Sequence, residues 1–231
     1  MATLIVLIWV WLLTILPFTT IVTFILTIVT CSLVPNNARE DERFPQISEL
    51  GTGDGHIYFL IGFVLMFIQF LLILLGRIQY LFQSQYLINR LLICLLHSIA
   101  FISSIFMLVM AIVSIDQNYQ IHIIGAYGMF GCISLYCFVH TLFIGYLYLN
   151  RIDAPQHANV FYPIWFFICC LLLIAFFIVW LITADGIPEY IAAACPFLYL
   201  IGYVPQFYGQ ARSRKSDEAL LGSVRFTNEE R

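Results

Sequence analysis

Polar and apolar positions in this chain do not alternate finely; they fall into long blocks. Charge-free runs occupy 1–38, 55–76, 78–89, 91–115, 117–150, 154–184 and 190–211. All but one hold an apolar stretch near or above the ~20 residues that cross a hydrocarbon core about 30 Å thick. The exception is IQYLFQSQYLIN, 78–89, which is short and reads as a polar-aromatic connector. The pattern predicts an all-α polytopic membrane protein with six transmembrane helices in one bundle, near 4–30, 57–76, 91–114, 122–148, 160–183 and 190–209. Backbone polar groups at membrane depth have no water to bond, so each run must be a continuous helix or be shielded by protein. The first run lacks a basic leader, is too long for a signal-peptide core and shows no small-residue cleavage site. It is expected to be a retained helix, bent near Pro17.

On this reading residues 1–210 form one transmembrane domain, with a loop at 31–56, and 211–231 form a tail. Composition agrees: 62% of residues are hydrophobic and 10% charged, against about 25% charged in soluble proteins. Charge also orients the bundle. Arg77, Arg90, Arg151, Arg212, Arg214, Lys215, Arg225 and Arg231 fall on one face; only Arg39 and Arg43 fall on the other. The second face holds Glu40, Asp41, Glu42, Glu49, Asp54, Asp116, Asp185 and Glu189. The positive-inside rule then puts both termini in the cytoplasm and the 31–56 loop in a lumen or outside the cell. Tyrosines and tryptophans near helix ends, among them Trp9, Trp11, Tyr58, Tyr119, Tyr148 and Trp165, fit an interfacial belt.

Candidate chemistry is sparse. Every Asp, Glu, Lys and Arg falls at a predicted helix edge or in a loop, which argues against proton-coupled transport and voltage sensing. Cys94, His97, Cys137 and His140 make two C-x-x-H pairs at equal depth on the third and fourth helices. His97 and His140 lie at a depth where they could meet across that antiparallel pair, with interhelical hydrogen bonds from them and Gln69 preferred over a metal site. His56 and His122 lie near Asp54 and Asp116 at the acidic face. A histidine beside a carboxylate is a possible base, but no nucleophile stands in a recognisable elbow, and solvated interfacial histidines are the simpler reading. Gly125 and Gly128 share a helix face with Gly131 and Gly145 nearby, which implies close helix packing. Five cysteines lie within predicted helices, and only Cys31 and Cys195 approach the oxidising face. No Asn-x-Ser/Thr acceptor occurs. Within the 31–56 loop, Pro45 fixes an extended entry, and glycines 51, 53 and 55 permit turns. Asp54 is expected to cap the second helix. The tail opens with Arg212, Arg214 and Lys215, followed by Asp217-x-x-Leu220-Leu221, a possible acidic dileucine sorting signal.

The pattern Phe44-Pro45-x-Ile47-Ser48-x-x-Gly51-Thr52 in the first loop of a six-helix protein resembles the DRAM autophagy-modulator family. That family belongs to a superfamily with the SFK-type phosphatidylinositol-kinase cofactor and the FRAG-type GPI-anchor remodelling factors. His122-x-x-Gly125-Ala126 on the fourth helix, with His140 further along, is similar to plasma-membrane and endosomal relatives. There are departures: Gly53-Asp54-Gly55 stands where the family commonly has Pro-Glu, and Asp116-Gln117-Asn118-Tyr119 replaces its Asn-Phe-Gln. Cys195-Pro196-Phe197 replaces a Cys-Glu-Trp. Cys31-x-x-Val34-Pro35-Asn36, Val113-Ser114 and Ile121-His122 are similar to the GPI-remodelling branch instead.

The resemblance implies a non-enzymatic modulator in endolysosomal membranes that promotes autophagy. The alternatives are a GPI-anchor lipid-remodelling factor of the early secretory pathway and a plasma-membrane scaffold for a phosphoinositide kinase. No cofactor, metal or nucleic acid is expected. The expected partners are membrane lipids and proteins that the sequence does not identify.

Overall fold

The computed structural model describes residues 2–34 and 44–213. Its helices are α1 (Ala2–Leu33), α2 (Ile47–Leu50), α3 (His56–Ser84), α4 (Arg90–Ile112), α5 (Tyr119–Leu149), α6 (Phe161–Thr183) and α7 (Gly186–Ile201). The chain turns at Gly202 and Tyr203 and is helical again over 204–213. Six spans among the described residues are long and apolar enough to cross a membrane, the last running Gly186–Ser213. The fold is all-α and polytopic, as expected. The sorting motif Asp217, Leu220 and Leu221 lies outside the described residues, as does 35–43.

Consecutive long helices pack on one another, α1 on α3, α3 on α4, α4 on α5, α5 on α6 and α6 on α7, and α7 returns to touch α1 and α5. The result is a closed ring whose outer faces are apolar: Ile61, Leu65 and Ile68 on α3, or Ile164, Phe167 and Leu171 on α6, are all exposed. In a bilayer such faces meet lipid tails rather than water. Connectors 85–89, 150–160 and the end of 204–213 lie at one pole, here the basic end. The loop 44–55 and the turns at 113–118 and 184–185 lie at the other, the acidic end.

Helix starts follow side-chain chemistry. Asn89 Oδ1 accepts from Leu91 N–H at 2.8 Å and Asn118 Oδ1 from Ile121 N–H at 3.1 Å, each relieving an amide that the first turn leaves free. The expected cap at Asp54 is absent: the residue is exposed and Gly55 is the N-cap of α3, with no side-chain bond. Asp116 from the α4–α5 turn reaches across instead and accepts from Gly53 N–H at 3.1 Å.

A larger departure concerns α3. Expected to stop at residue 76, it continues through Arg77 to Ser84, so only 85–89 connects it to α4. Arg77 does not mark the end of a span; it is 0% exposed inside one. α7 likewise begins before Glu189, which is 3% exposed. Two charge-bearing side chains are therefore buried where the charge pattern predicts none.

The glycines of α5 divide into two pairs. A Cβ on Gly125 would stand 2.8 Å from the backbone nitrogen of Met110, and one on Gly128 2.5 Å from Phe106 Cγ. Gly131 and Gly145 face open space. All seven cysteines are free thiols; Cys31 Sγ donates to Gly55 O at 3.7 Å, and Cys195 is buried.

Candidate functional site

Two polar constructions interrupt the apolar bundle, one at each end. At the acidic end the loop 44–52 folds back as a lid. Phe44 packs edge-on against Tyr190 with centroids 5.1 Å apart. Gln46 Nε2 donates to the carbonyl of Ala184, a residue held left-handed at φ 53° where α6 turns into α7. The carbonyls of Phe44 and Pro45 lie so close to Gly186 that a Cβ there would approach them to 2.7 and 2.6 Å; only glycine fits. Gln46 N–H donates to Glu49 Oε2 at 2.8 Å and Thr52 Oγ1 to Glu49 O at 2.8 Å, which rounds off the short α2. Gly51 lets the face of Phe59 seat beneath the turn, 2.7 Å from where a Cβ would stand.

The clamp is Glu189. From the first turn of α7 its Oε2 accepts from Ile47 N–H at 2.9 Å, and the carboxyl also takes the Ser48 amide. All six residues of the Phe44-to-Thr52 motif thus belong to one lid and its seat. Below the lid is a cavity of about 60 Å³, reached by Ile47 and Glu189 and walled by Phe63, Met107, Phe130 and Phe197. It is apolar apart from Glu189, Ser103 and Ser104. The two serines are occupied, since Ser103 Oγ donates to Met129 O and Ser104 Oγ to Phe101 O.

At the basic end Arg77 is the hub. Its Nε and Nη2 lie 3.3 and 3.2 Å from His140 Nε2, and Nη1 donates to Gln206 Oε1. The guanidinium also stands over the rings of Tyr203 at 4.5 Å and Tyr80 at 5.3 Å, favourable contacts for a cation. Because arginine only donates, His140 Nε2 must accept, and the ring proton sits on Nδ1. Nδ1 lies 2.7 Å from Tyr199 Oη, and Tyr199 donates onward to Cys137 O at 3.1 Å. Tyr136 and Tyr203 join hydroxyls at 2.9 Å beside them. The cluster draws one residue or more from α3, α5 and α7, and from 204–213, so it ties the ring shut at that pole.

The remaining sequence candidates scatter. His97 and His140 do meet, at 6.3 Å between centroids, but His97 Nδ1 bonds Ile93 O of its own helix at 2.8 Å rather than a neighbour, and Cys94 is exposed while Cys137 is buried. No three His, Cys, Asp or Glu side chains among the described residues are grouped to hold a metal. His122 and His140 share α5 but lie about 27 Å apart along it at 1.5 Å per residue, so the fourth-helix motif is two sites, not one. His122 is 1% exposed rather than solvated. Its Nδ1 lies 2.7 Å from Val113 O, and His56 Nε2 lies 3.1 Å from Ala111 O. Both satisfy carbonyls that the end of α4 leaves free. Ala126 is buried.

A serine–histidine contact, unannounced in the sequence, lies near the hub: Ser84 Oγ is 3.0 Å from His157 Nε2. The geometry resembles a nucleophile and its base. Burial, and after it the charge of Arg77, holds the His157 imidazole down at about 3, so it accepts a proton poorly at neutral pH. The pair instead pins connector 150–160 to the end of α3. An imidazole held below its unfolded value of 6.5 adds stability that is complete above pH 6.5 and is lost as pH falls through that value towards 3. The slope in this window is up to about 1.4 kcal/mol per pH unit. Purified protein in detergent should therefore lose thermal stability from pH 7.5 to pH 5, and His157→Gln should flatten that profile. An unchanged slope in the variant would contradict this role.

Residues 5–210 match the family described as Frag1/DRAM/Sfk1/Cwh43P N-terminal domain. No match was found among curated proteins or among solved structures.

Proposed function

The chain belongs to the Frag1/DRAM/Sfk1/Cwh43P family, and on that premise we propose that it is a non-enzymatic membrane modulator that engages lipid beneath its lid. Its setting would be the endolysosomal membrane and its effect the promotion of autophagy, following the DRAM resemblance of the Phe44-to-Thr52 motif. The observation that carries the proposal is the lid itself, clamped by Glu189 over an apolar cavity. A polar strap above a small apolar chamber offers a seat for the end of an apolar group. The histidines add support. Each described one holds a carbonyl, a hydroxyl or the Arg77 guanidinium, which leaves none poised beside a nucleophile in a site open to substrate.

A tagged copy expressed in cells should reside in endolysosomal membranes, and raised expression should increase autophagic flux. Residence confined to the endoplasmic reticulum or Golgi, together with altered GPI-anchor lipids on deletion, would replace this reading with anchor remodelling. Co-purification with a phosphoinositide kinase at the cell surface would replace it with the scaffold.

A further inference from the structure

Arg77 is buried, carries a guanidinium cation, and meets no carboxylate among the described residues. Its partners are His140, Gln206 and two aromatic faces, all neutral. Neutral acceptors compensate a buried cation only in part. The imbalance is greater in a bilayer, where an intramembrane charge marks a functional path or a partner.

A cleft adjoins this cation. It has a volume of about 460 Å³ and is lined by Tyr80, Gln83, Gln156, Tyr162, Gln206 and Ser213, among others. Two of its walls are shared with the hub, since Tyr80 and Gln206 both contact Arg77. Gln206 is 4% exposed. Its Oε1 is occupied by Arg77, but its Nε2 has no partner. A buried amide donor beside a polar cleft is destabilising unless something accepts from it. An anionic acceptor suits it best, because the next group behind Gln206 is a guanidinium. Depth narrows the choice. The cleft lies where α3 ends at Ser84 and the last span ends at Ser213, which is the level of lipid head groups rather than of tails.

We infer that this cleft is a second binding site, at the opposite pole from the lid and independent of it. It takes a phosphate group, with Gln206 donating to a phosphate oxygen and Arg77 supplying the positive charge behind it. The phosphate is carried by the head group of an anionic lipid or arrives free from solution, and the two sources share this recognition.

The test uses the full-length protein in phosphatidylcholine nanodiscs, with and without phosphatidic acid, and separately with inorganic phosphate. Lipid retention is read by native mass spectrometry and stability by thermal denaturation. The wild type should retain phosphatidic acid over phosphatidylcholine and be stabilised by it. Gln206→Met, close in shape and without the amide, should weaken retention roughly tenfold. Arg77→Gln should abolish it if that variant folds, and Gln206→Met carries the test if it does not. Arg212→Gln should leave retention unchanged, because Arg212 lies at the same end but is exposed and does not line the cleft. Equal stabilisation of the wild type by inorganic phosphate, lost in Gln206→Met, would support the same site with a soluble occupant. Equal retention of both lipids with no effect of inorganic phosphate, or a preference untouched by Gln206→Met, would overturn the inference.

Discussion

Gly125→Leu should prevent the chain from accumulating as folded protein. The reason is backbone, not side chain: a Cβ at this position would stand 2.8 Å from Met110 N and 3.0 Å from Met110 Cα. A flexible neighbour could rotate away, but a helix backbone can yield only by moving. α4 and α5 would have to separate along their whole contact, and His122 would lose Val113 O in the process. Overpacking costs about 1–3 kcal/mol when one methyl is inserted, so Gly125→Ala should already lower thermal stability by that amount. The leucine variant should lie at or beyond the upper end. Gly131→Ala is the matched control. Nothing lies within 4 Å of its Cβ, and replacing a mid-helix glycine by alanine gains about 0.5–1 kcal/mol. Thermal denaturation in detergent of all three variants decides the matter. Equal behaviour of Gly125→Ala and Gly131→Ala would show that the close approach of α4 and α5 carries no energy.

Glu189→Leu should free the lid while leaving the bundle folded. Two effects compete. Removing a carboxyl from an apolar wall is favourable in itself, and leucine fills much of the same space. Against that, the amides of Ile47 and Ser48 lose their acceptor, at about 1–3 kcal/mol for each group left unsatisfied. The lid can escape this cost by opening to water, so the substitution shifts the balance towards the open form. Hydrogen exchange across 44–52 should quicken by roughly tenfold or more, while amides in the middle of α4 and α5 exchange as before. Glu189→Gln keeps one acceptor oxygen in the same place and should fall between. Unchanged exchange at the lid in Glu189→Leu would mean that Phe44, Gln46 and Ile47 hold it without the carboxyl.

Helix number and approximate limits were legible because a lipid-crossing run must be apolar through some twenty residues, and six such runs stand out. The lid was legible as a structured loop from its Pro45 and glycine punctuation, though not what held it down. Charge as a boundary held at Arg90 and Arg151 but failed at Arg77 and Glu189. Arg77 looked like the end of a span, yet Tyr80, Leu81 and Ser84 continue the buried face of α3 at helical spacing, a signal that the arginine faces inward. Glu189 was assigned to an edge for the same reason, and its use is set by Ile47, 142 residues earlier. Pairings at such separation leave no trace in local periodicity. The meeting of His97 and His140 was legible, because equal depth on antiparallel neighbours is a local count. The link of His140 to Gln206 through Arg77 was not, since it joins residues 66 positions apart that no local count relates.

The hub at Arg77 also sets a clock on synthesis. α3 emerges from the ribosome long before its partners: His140 follows Arg77 by 63 residues and Gln206 by 129. At 5–20 residues per second, the second interval lasts roughly 6 to 26 seconds. Until His140 arrives, about halfway through it, the membrane holds a helix whose arginine lacks every acceptor of the finished hub, and the side chain must reach towards the head groups to stay solvated. Completion of the last helix withdraws it. A chain that stalls before that point presents an unmet charge at membrane depth, so a finished copy and an unfinished one differ in a feature that the cell's quality-control machinery can read.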